Sequence, residues 1–255
     1  QKNGSNLAKK WRQGIKKMSV DEKSLYAPCD TMQYECVKFG ADQQELVRVD
    51  SYIQGADALK QDAIRRNSFA VADSFYPGVR MAISDAYIVG LVRNFQGLIR
   101  DFFNLDLRKI KSAASKYSIV TSKPEDLKLM QRMPHFDAPS RDSLAVIHYL
   151  CDAADSGTAF YHHGETGYDY IDRSRLGNYE ASIVNRLQDP ARQPSGYICG
   201  STKDYSQITS YGAAYNRLLM YRGSSLHSGI IGPNYNFDPS PETGRLTVTS
   251  FIEFS

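Results

Sequence analysis

The chain of 255 residues lacks the features that would place it in several broad classes. No apolar run approaches the ~20 residues that span a bilayer, so no membrane span is expected. The opening stretch Gln1 to Met18 is polar and basic, without the apolar core of a signal peptide. Cysteine is scarce: there are four, Cys29, Cys36, Cys151 and Cys199, and none sits in a C-x-x-C pair. That argues against a structural zinc site and a disulfide framework, and makes a reduced, cytoplasmic protein the expectation. A Cys29–Cys36 bridge stays open at this level. The net charge of +3 is too small to argue for nucleic acid as a partner. There is no internal repeat and no low-complexity tract. Hydrophobic residues make up 42% and charged residues 23%, the balance of an ordinary globular protein long enough for one large domain.

What is present changes character along the chain. Lys2, Lys9, Lys10, Arg12, Lys16 and Lys17 cluster at the start. Leu7, Trp11, Ile15 and Met18 recur there at helical spacing, which predicts a basic amphipathic helix docked through Trp11. A surface for an acidic partner is the other reading. Glu45 to Val49 predicts a short strand, Gly55 to Arg66 a helix, and Ser84 to Asn104 a second helix with Ile88, Leu91, Phe95, Leu98, Ile99 and Phe102 on one side. Tyr76-Pro77-Gly78 is a turn signal. The second half turns to short β-rich runs separated by Gly, Pro, Asn and Asp: Ala114–Thr121, Leu144–Leu150, Thr158–His162, Arg217–Tyr221, Leu226–Ile231 and Arg245–Phe254. Many short punctuated strands predict a sandwich, barrel or jelly roll. The stretch from about Gly164 to Ala213 reads as irregular, either a lid-like functional insertion or a structural excursion.

Three sequence features converge on a metal. In RMPHFDAPSR, His135 and Asp137 are two residues apart, so an extended backbone points both the same way and Phe136 the other. On a helix the same step turns ~200° and the pair diverges. Pro134 and Pro139 favour the extended form. His227 opens an apolar run in YRGSSLHSGII. Two imidazoles and one carboxylate leave open positions on an octahedral ion, which suits non-haem Fe(II) oxygen chemistry. In TGRLTVTSFIEF, strand parity sets Arg245, Thr247 and Thr249 on one face and Leu246 and Val248 on the other. An arginine beside two hydroxyls suits a dicarboxylate ligand; a solvated strand face is the competing reading.

The order of these motifs resembles a known family. H-x-D, a strand ending in Tyr149-Leu150, the run Gly157-Thr158-Ala159-Phe160-Tyr161, a strand leading into Leu226-His227-Ser228-Gly229, then R-x-T is similar to the Fe(II)/2-oxoglutarate-dependent dioxygenases, most of all their prolyl-4-hydroxylase-like branch and bacterial oxygenase-like proteins without assigned function. The match runs from about Arg132 to Phe254, with a weaker likeness over ELVRVDSYIQGADALKQDAI.

The resemblance implies an α+β fold with a double-stranded β-helix (jelly-roll) core and N-terminal helices packed on it. Residues 1–40 would form a partly helical extension, and residues 41–255 an oxygenase domain with an insertion at about 164–213. It also implies roles. His135, Asp137 and His227 would bind Fe(II), Arg245 would pair with the C5 carboxylate of the cosubstrate 2-oxoglutarate, Tyr149 would donate a hydrogen bond to it, and Thr247 or Thr249 would assist. The reaction would consume O2, release succinate and CO2, and by default hydroxylate a small-molecule, amino-acid or peptidyl substrate. Asp137 speaks against the halogenase variant, which replaces that carboxylate.

Two further readings stay open: a non-catalytic β-helix module that retains the metal site, and a zinc hydrolase on the same ligands. His162 and His163 face opposite ways in a strand and read as surface or supporting groups, and His148 as packing. Tyr168, Tyr170, Arg173, Arg175 and Tyr179 either line an entrance or are surface residues.

Overall fold

A computed structural model describes residues 18–72, 75–153, 155–190 and 193–255. The basic helix expected around Leu7, Trp11 and Ile15 lies outside the described residues. Among the described residues there are four α-helices, α1 (Val20–Leu25), α2 (Ala56–Arg66), α3 (Asp85–Asp101) and α4 (Leu176–Leu187). The strands are β1 (Gln33–Phe39), β2 (Gln44–Asp50), β3 (Ala70–Val71), β4 (Gly78–Ala82), β5 (Ile110–Val120), β6 (Ser143–Tyr149), β7 (Ser156–His163), β8 (Tyr205–Gly212), β9 (Leu218–Arg222), β10 (His227–Ile231) and β11 (Leu246–Phe254). They form an eight-stranded sheet, β1-β2-β9-β6-β11-β5-β4-β3, and a three-stranded sheet, β10-β7-β8, with antiparallel pairing throughout. None of the described helices is long and apolar enough to cross a membrane.

The large sheet is covered on both faces. On one side Leu144, Val146, Leu218, Met220, Leu246 and Val248 pack with Leu59 and Ala63 of α2 and Ile88, Leu91 and Phe95 of α3. On the other, Ala145, Tyr149, Leu219 and Tyr221 pack with Phe160 of the small sheet. This two-sided burial explains why β6 and β9 are apolar nearly throughout and do not alternate. The helices form where apolar residues repeat at helical spacing, and Ser84 caps α3 by accepting from the Ala86 N–H.

Several expectations need correction. The 164–213 stretch is not irregular: it contains α4 and β8. Leu176, Tyr179, Ile183 and Leu187 do repeat at helical spacing and join a second core with Tyr161, Ile171 and Tyr205. The surrounding Tyr, Arg, Asp and Gly residues mask that pattern, and β8 is an edge strand with little apolar alternation of its own. Strand β4 starts inside the Pro77-Gly78 turn signal. All four cysteines are free, so Cys29 and Cys36 are not bridged. The boundary expected at residue 40 falls inside the β1–β2 hairpin. Gly40 sits in that turn at φ +70°, and a Cβ there would lie 2.3 Å from Oδ2 of Asp169. The buried Asp169 carboxylate accepts from the Asp42 N–H at 2.9 Å and meets His162 at 2.7 Å, tying the hairpin to the 164–213 segment.

His148 faces the helices, away from Tyr149. Its Nε2–H donates to Oδ1 of Asn216 at 2.9 Å, and Nδ1 accepts from the Tyr87 hydroxyl at 3.1 Å. Burial pushes the imidazole down from 6.5 to about 4. The folded value lies below the unfolded one, so the stability tied to the neutral ring is complete above the unfolded value and is lost as pH falls toward the folded one. Between about pH 7.5 and about pH 4.5, wild type should lose roughly 2 kcal/mol more than His148→Gln in urea unfolding. Equal losses in the two proteins would overturn this account.

Candidate metal centre

The pair His135 and Asp137 lies on an extended segment that docks on the small sheet. His135 N–H donates to the His227 carbonyl and His227 N–H to the His135 carbonyl, both at 2.8 Å. This antiparallel bridge sets the two imidazoles 4.4 Å apart between ring centroids. The Asp137 N–H then donates to the Gly223 carbonyl at 2.7 Å, which fixes the carboxylate beside them. Phe136 turns the other way, against Tyr179.

His227 Nε2 is 3.5 Å from Asp137 Oδ2, and His135 Nε2 is 3.9 Å from Asp137 Oδ1. All three donor atoms lie within 4.8 Å of one another, too far apart for direct hydrogen bonds and close enough to share an ion. His227 Nδ1–H donates to the Ser225 carbonyl at 2.9 Å, so its Nε2 lone pair faces the carboxylate. The donor set therefore fits a divalent cation.

Side-chain exposure rises from 5% at His227 to 18% at Asp137 and 52% at His135, so the cluster opens on the His135 side. Burial pushes His227 down to about 4. Burial pushes Asp137 up to about 6, with His135 and Arg80 pulling the other way. His135 is driven down by the protein around it and then by His227, a push that solvent at its open edge moderates. Tyr221 and Phe160 wall His227, with ring centroids at 4.8 and 6.2 Å.

Arg245 is placed just before β11 and reaches across to the small sheet. Its Nε donates to the Ser156 hydroxyl at 2.6 Å and its NH2 group to the Gly157 carbonyl at 2.9 Å, while the guanidinium lies 5.4 Å from the Tyr149 ring centre. The side chain is buried, and among the described residues no carboxylate pairs with it. Tyr149 shares a 2.7 Å hydrogen bond with Thr158. Thr158 pairs in register with Gly229, and Phe160 with His227. Gly229 thus faces the same way as His227, ~7 Å further along the strand. A Cβ at Gly229 would find a single atom within 4 Å, the NH2 nitrogen of Arg245 at 3.9 Å. A gap therefore separates His227 from Arg245, flanked by Tyr149 and Thr158.

Thr247 and Thr249 lie on the expected face, but their hydroxyls are spent on β5: Thr247 donates to the Ser118 carbonyl at 3.2 Å and Thr249 shares 2.9 Å with the Ser118 hydroxyl. His162 pairs with Asp169, and His163 is buried against Tyr179 and Tyr205, so neither belongs to the cluster. Tyr168 and Tyr170 stack on Arg175, which pairs with Asp42 at 2.6 Å. Sequence reasoning missed Ser156, Thr158 as a polar liner, Gly229 and Arg80. Thr158 had a readable signal: strand parity from Tyr161 puts it on the opposite face from that apolar side chain. A cleft of about 170 Å³ opens against Asp137, Ser143, Gly223 and Glu253. A larger groove of about 470 Å³, lined by Met32, Tyr34, Phe95 and Phe102 among others, shares no residue with the cluster.

The model of a family described as "Family of unknown function (DUF6445)" matches residues 30–252, and the chain belongs to that family. Comparison with curated proteins gave no match. Similar solved structures include the non-haem α-ketoglutarate-dependent carbocyclase SnoK from nogalamycin biosynthesis, at 9% identity over 94% of this chain and 85% of that one, with a TM-score of 0.41. The epimerase SnoN from the same biosynthesis is similar at 13% identity, 84% and 80% coverage and a TM-score of 0.41. An N-substituted L-amino acid dioxygenase from Burkholderia ambifaria AMMD, in complex with α-ketoglutarate, is similar at 12% identity, 86% and 94% coverage and a TM-score of 0.38.

Ser156→Ala should cost about 2 kcal/mol in urea unfolding, because it strips a buried cation of a hydrogen bond. A loss below about 0.5 kcal/mol would show that this bond does not hold Arg245.

Proposed function

We propose that this protein is a non-haem Fe(II)- and 2-oxoglutarate-dependent oxygenase that hydroxylates a small-molecule, amino-acid or peptidyl substrate. The observation that carries this reading is the pairing of two incomplete features across one gap. On one side, the side chains of His135, Asp137 and His227 face one another without hydrogen bonds between them. On the other, buried Arg245 has no carboxylate partner among the described residues. A dicarboxylate that reaches from an ion to a guanidinium satisfies both.

In this reading the two facing sheets form a double-stranded β-helix, within the prolyl-4-hydroxylase-like branch of the superfamily. The catalytic unit takes in the β1–β2 hairpin and so reaches back beyond residue 41. Iron bound by the three ligands supplies O2 activation, which amino-acid side chains lack. The chain's own residues do the rest. The Ser225 carbonyl holds His227 in the tautomer that presents Nε2. Arg245, braced by Ser156 and Gly157, fixes the distal carboxylate, and the Tyr149 and Thr158 hydroxyls offer it further hydrogen bonds. Phe160 and Tyr221 exclude water from the His227 side. Thr247 and Thr249 support the arginine's strand through Ser118.

Two variants separate the parts. Asp137→Ala should weaken Mn(II) or Fe(II) binding by about 100-fold in anaerobic calorimetry. Gly229→Val should keep the metal yet weaken 2-oxoglutarate binding by at least ~10-fold, since its side chain fills the gap before Arg245. The reading fails if metal-loaded wild type binds no 2-oxoglutarate and releases no succinate.

A further inference from the structure

Arg80 is a second arginine on the large-sheet face that fronts the small sheet and its metal cluster. It stands on β4 between Val79 and Met81, which pack toward the helices. Its own side chain therefore points to the opposite face. There it heads a row of paired positions across four strands: Arg80 with Ser118, Ser118 with Thr247, Thr247 with Tyr149. One face of the guanidinium is covered by the Tyr76 ring, 4.3 Å from its centre. The Nε atom is buried and has no hydrogen-bond partner. Among the described residues no carboxylate lies within ion-pair distance, yet both Asp137 and His135 feel the charge.

The two Nη groups of this half-buried guanidinium make no hydrogen bond to the described residues, and that pair of donors matches a carboxylate in two-point geometry. Asp137 does not supply the partner, being beyond ion-pair distance and needed by the cation. Arg245 lies on the edge of β11, two strands away in the sheet order and ~10 Å at ordinary strand spacing. The cosubstrate's distal carboxylate goes to Arg245, and its other end goes to the metal. With a dication and two arginines against one aspartate, a bound dicarboxylate leaves positive charge uncompensated at Arg80, beside the open His135 edge.

We propose that Arg80 binds a carboxylate of the primary substrate, so that the molecule oxidised is a carboxylic acid held with its anionic end at β4 and its reacting carbon toward His135. This rests on the oxygenase reading above. It makes Arg80 a specificity-determining residue for that reaction.

Acetate is a sufficient probe. The full chain, loaded with Mn(II) and saturated with 2-oxoglutarate, is melted in increasing sodium acetate against sodium chloride at equal ionic strength. Wild type, Arg80→Lys and Arg80→Met are compared, with Arg80→Gln in reserve should the methionine variant not fold. Acetate is expected to raise the Tm of wild type by a few degrees beyond chloride, that of Arg80→Lys by less, and that of Arg80→Met not at all. The affinity of Arg80→Met for 2-oxoglutarate is expected to stay within about threefold of wild type. Acetate no better than chloride on wild type overturns the proposal. So does a shift with inorganic phosphate alone, which changes the ligand class. A loss of 2-oxoglutarate affinity of about tenfold or more in Arg80→Met overturns it too, by assigning Arg80 to the cosubstrate. Failure of wild type to bind 2-oxoglutarate appears before Arg80 is altered and removes the oxygenase reading and this one together.

Discussion

Two backbone hydrogen bonds, the reciprocal 2.8 Å pair between His135 and His227, position everything else in the centre. They join a segment with no strand partner beyond this bridge to the edge of the small sheet. Because the bonds are reciprocal, they set the register as well as the distance. A slip of one residue would turn His135 and Asp137 away and bring Phe136 into their place. The Asp137 N–H bond to Gly223 then closes the segment at its other end. Three donors from two distant stretches are thus held by main-chain geometry, and their side chains have few torsions left to fix.

The large sheet supplies the other half. Its strands separate two chemistries by parity alone. His148 and Tyr149 are neighbours in sequence, yet one is neutralised among Tyr87 and Asn216 under the helices, and the other lies beside Arg245 between the sheets. The helices close the first face, so the second is free to carry polar groups at Arg80, Ser118, Thr247 and Tyr149. A sheet with one solvated face would hydrate these groups and weaken each of their interactions.

Legibility in the sequence followed the range of each constraint. His135 and Asp137 were readable as a converging pair because two-residue spacing is a local property of extended backbone. His227 and Arg245 depended on the order of motifs, and the face shared by Arg245, Thr247 and Thr249 on strand parity. The hydroxyls of both threonines turned out to serve Ser118, a cross-strand partner that no local rule reveals. Arg80 escaped notice because β4 begins within a turn signal. Helix α4 escaped because its apolar stripe is interleaved with Tyr, Arg and Gly, and the core it fills with Tyr161 and Tyr205 exists only once the chain has folded back.

Arg245 has one further consequence. Its backbone leads directly into β11 of the large sheet and its guanidinium is fastened to Ser156 and Gly157 of the small one. It is a rivet between two layers as well as a lone cation facing a gap. A lineage that lost the chemistry would still need the rivet, so persistence of this arginine among descendants is weak testimony that they remain enzymes. Persistence of Gly229, whose bareness fastens nothing, is the stronger witness.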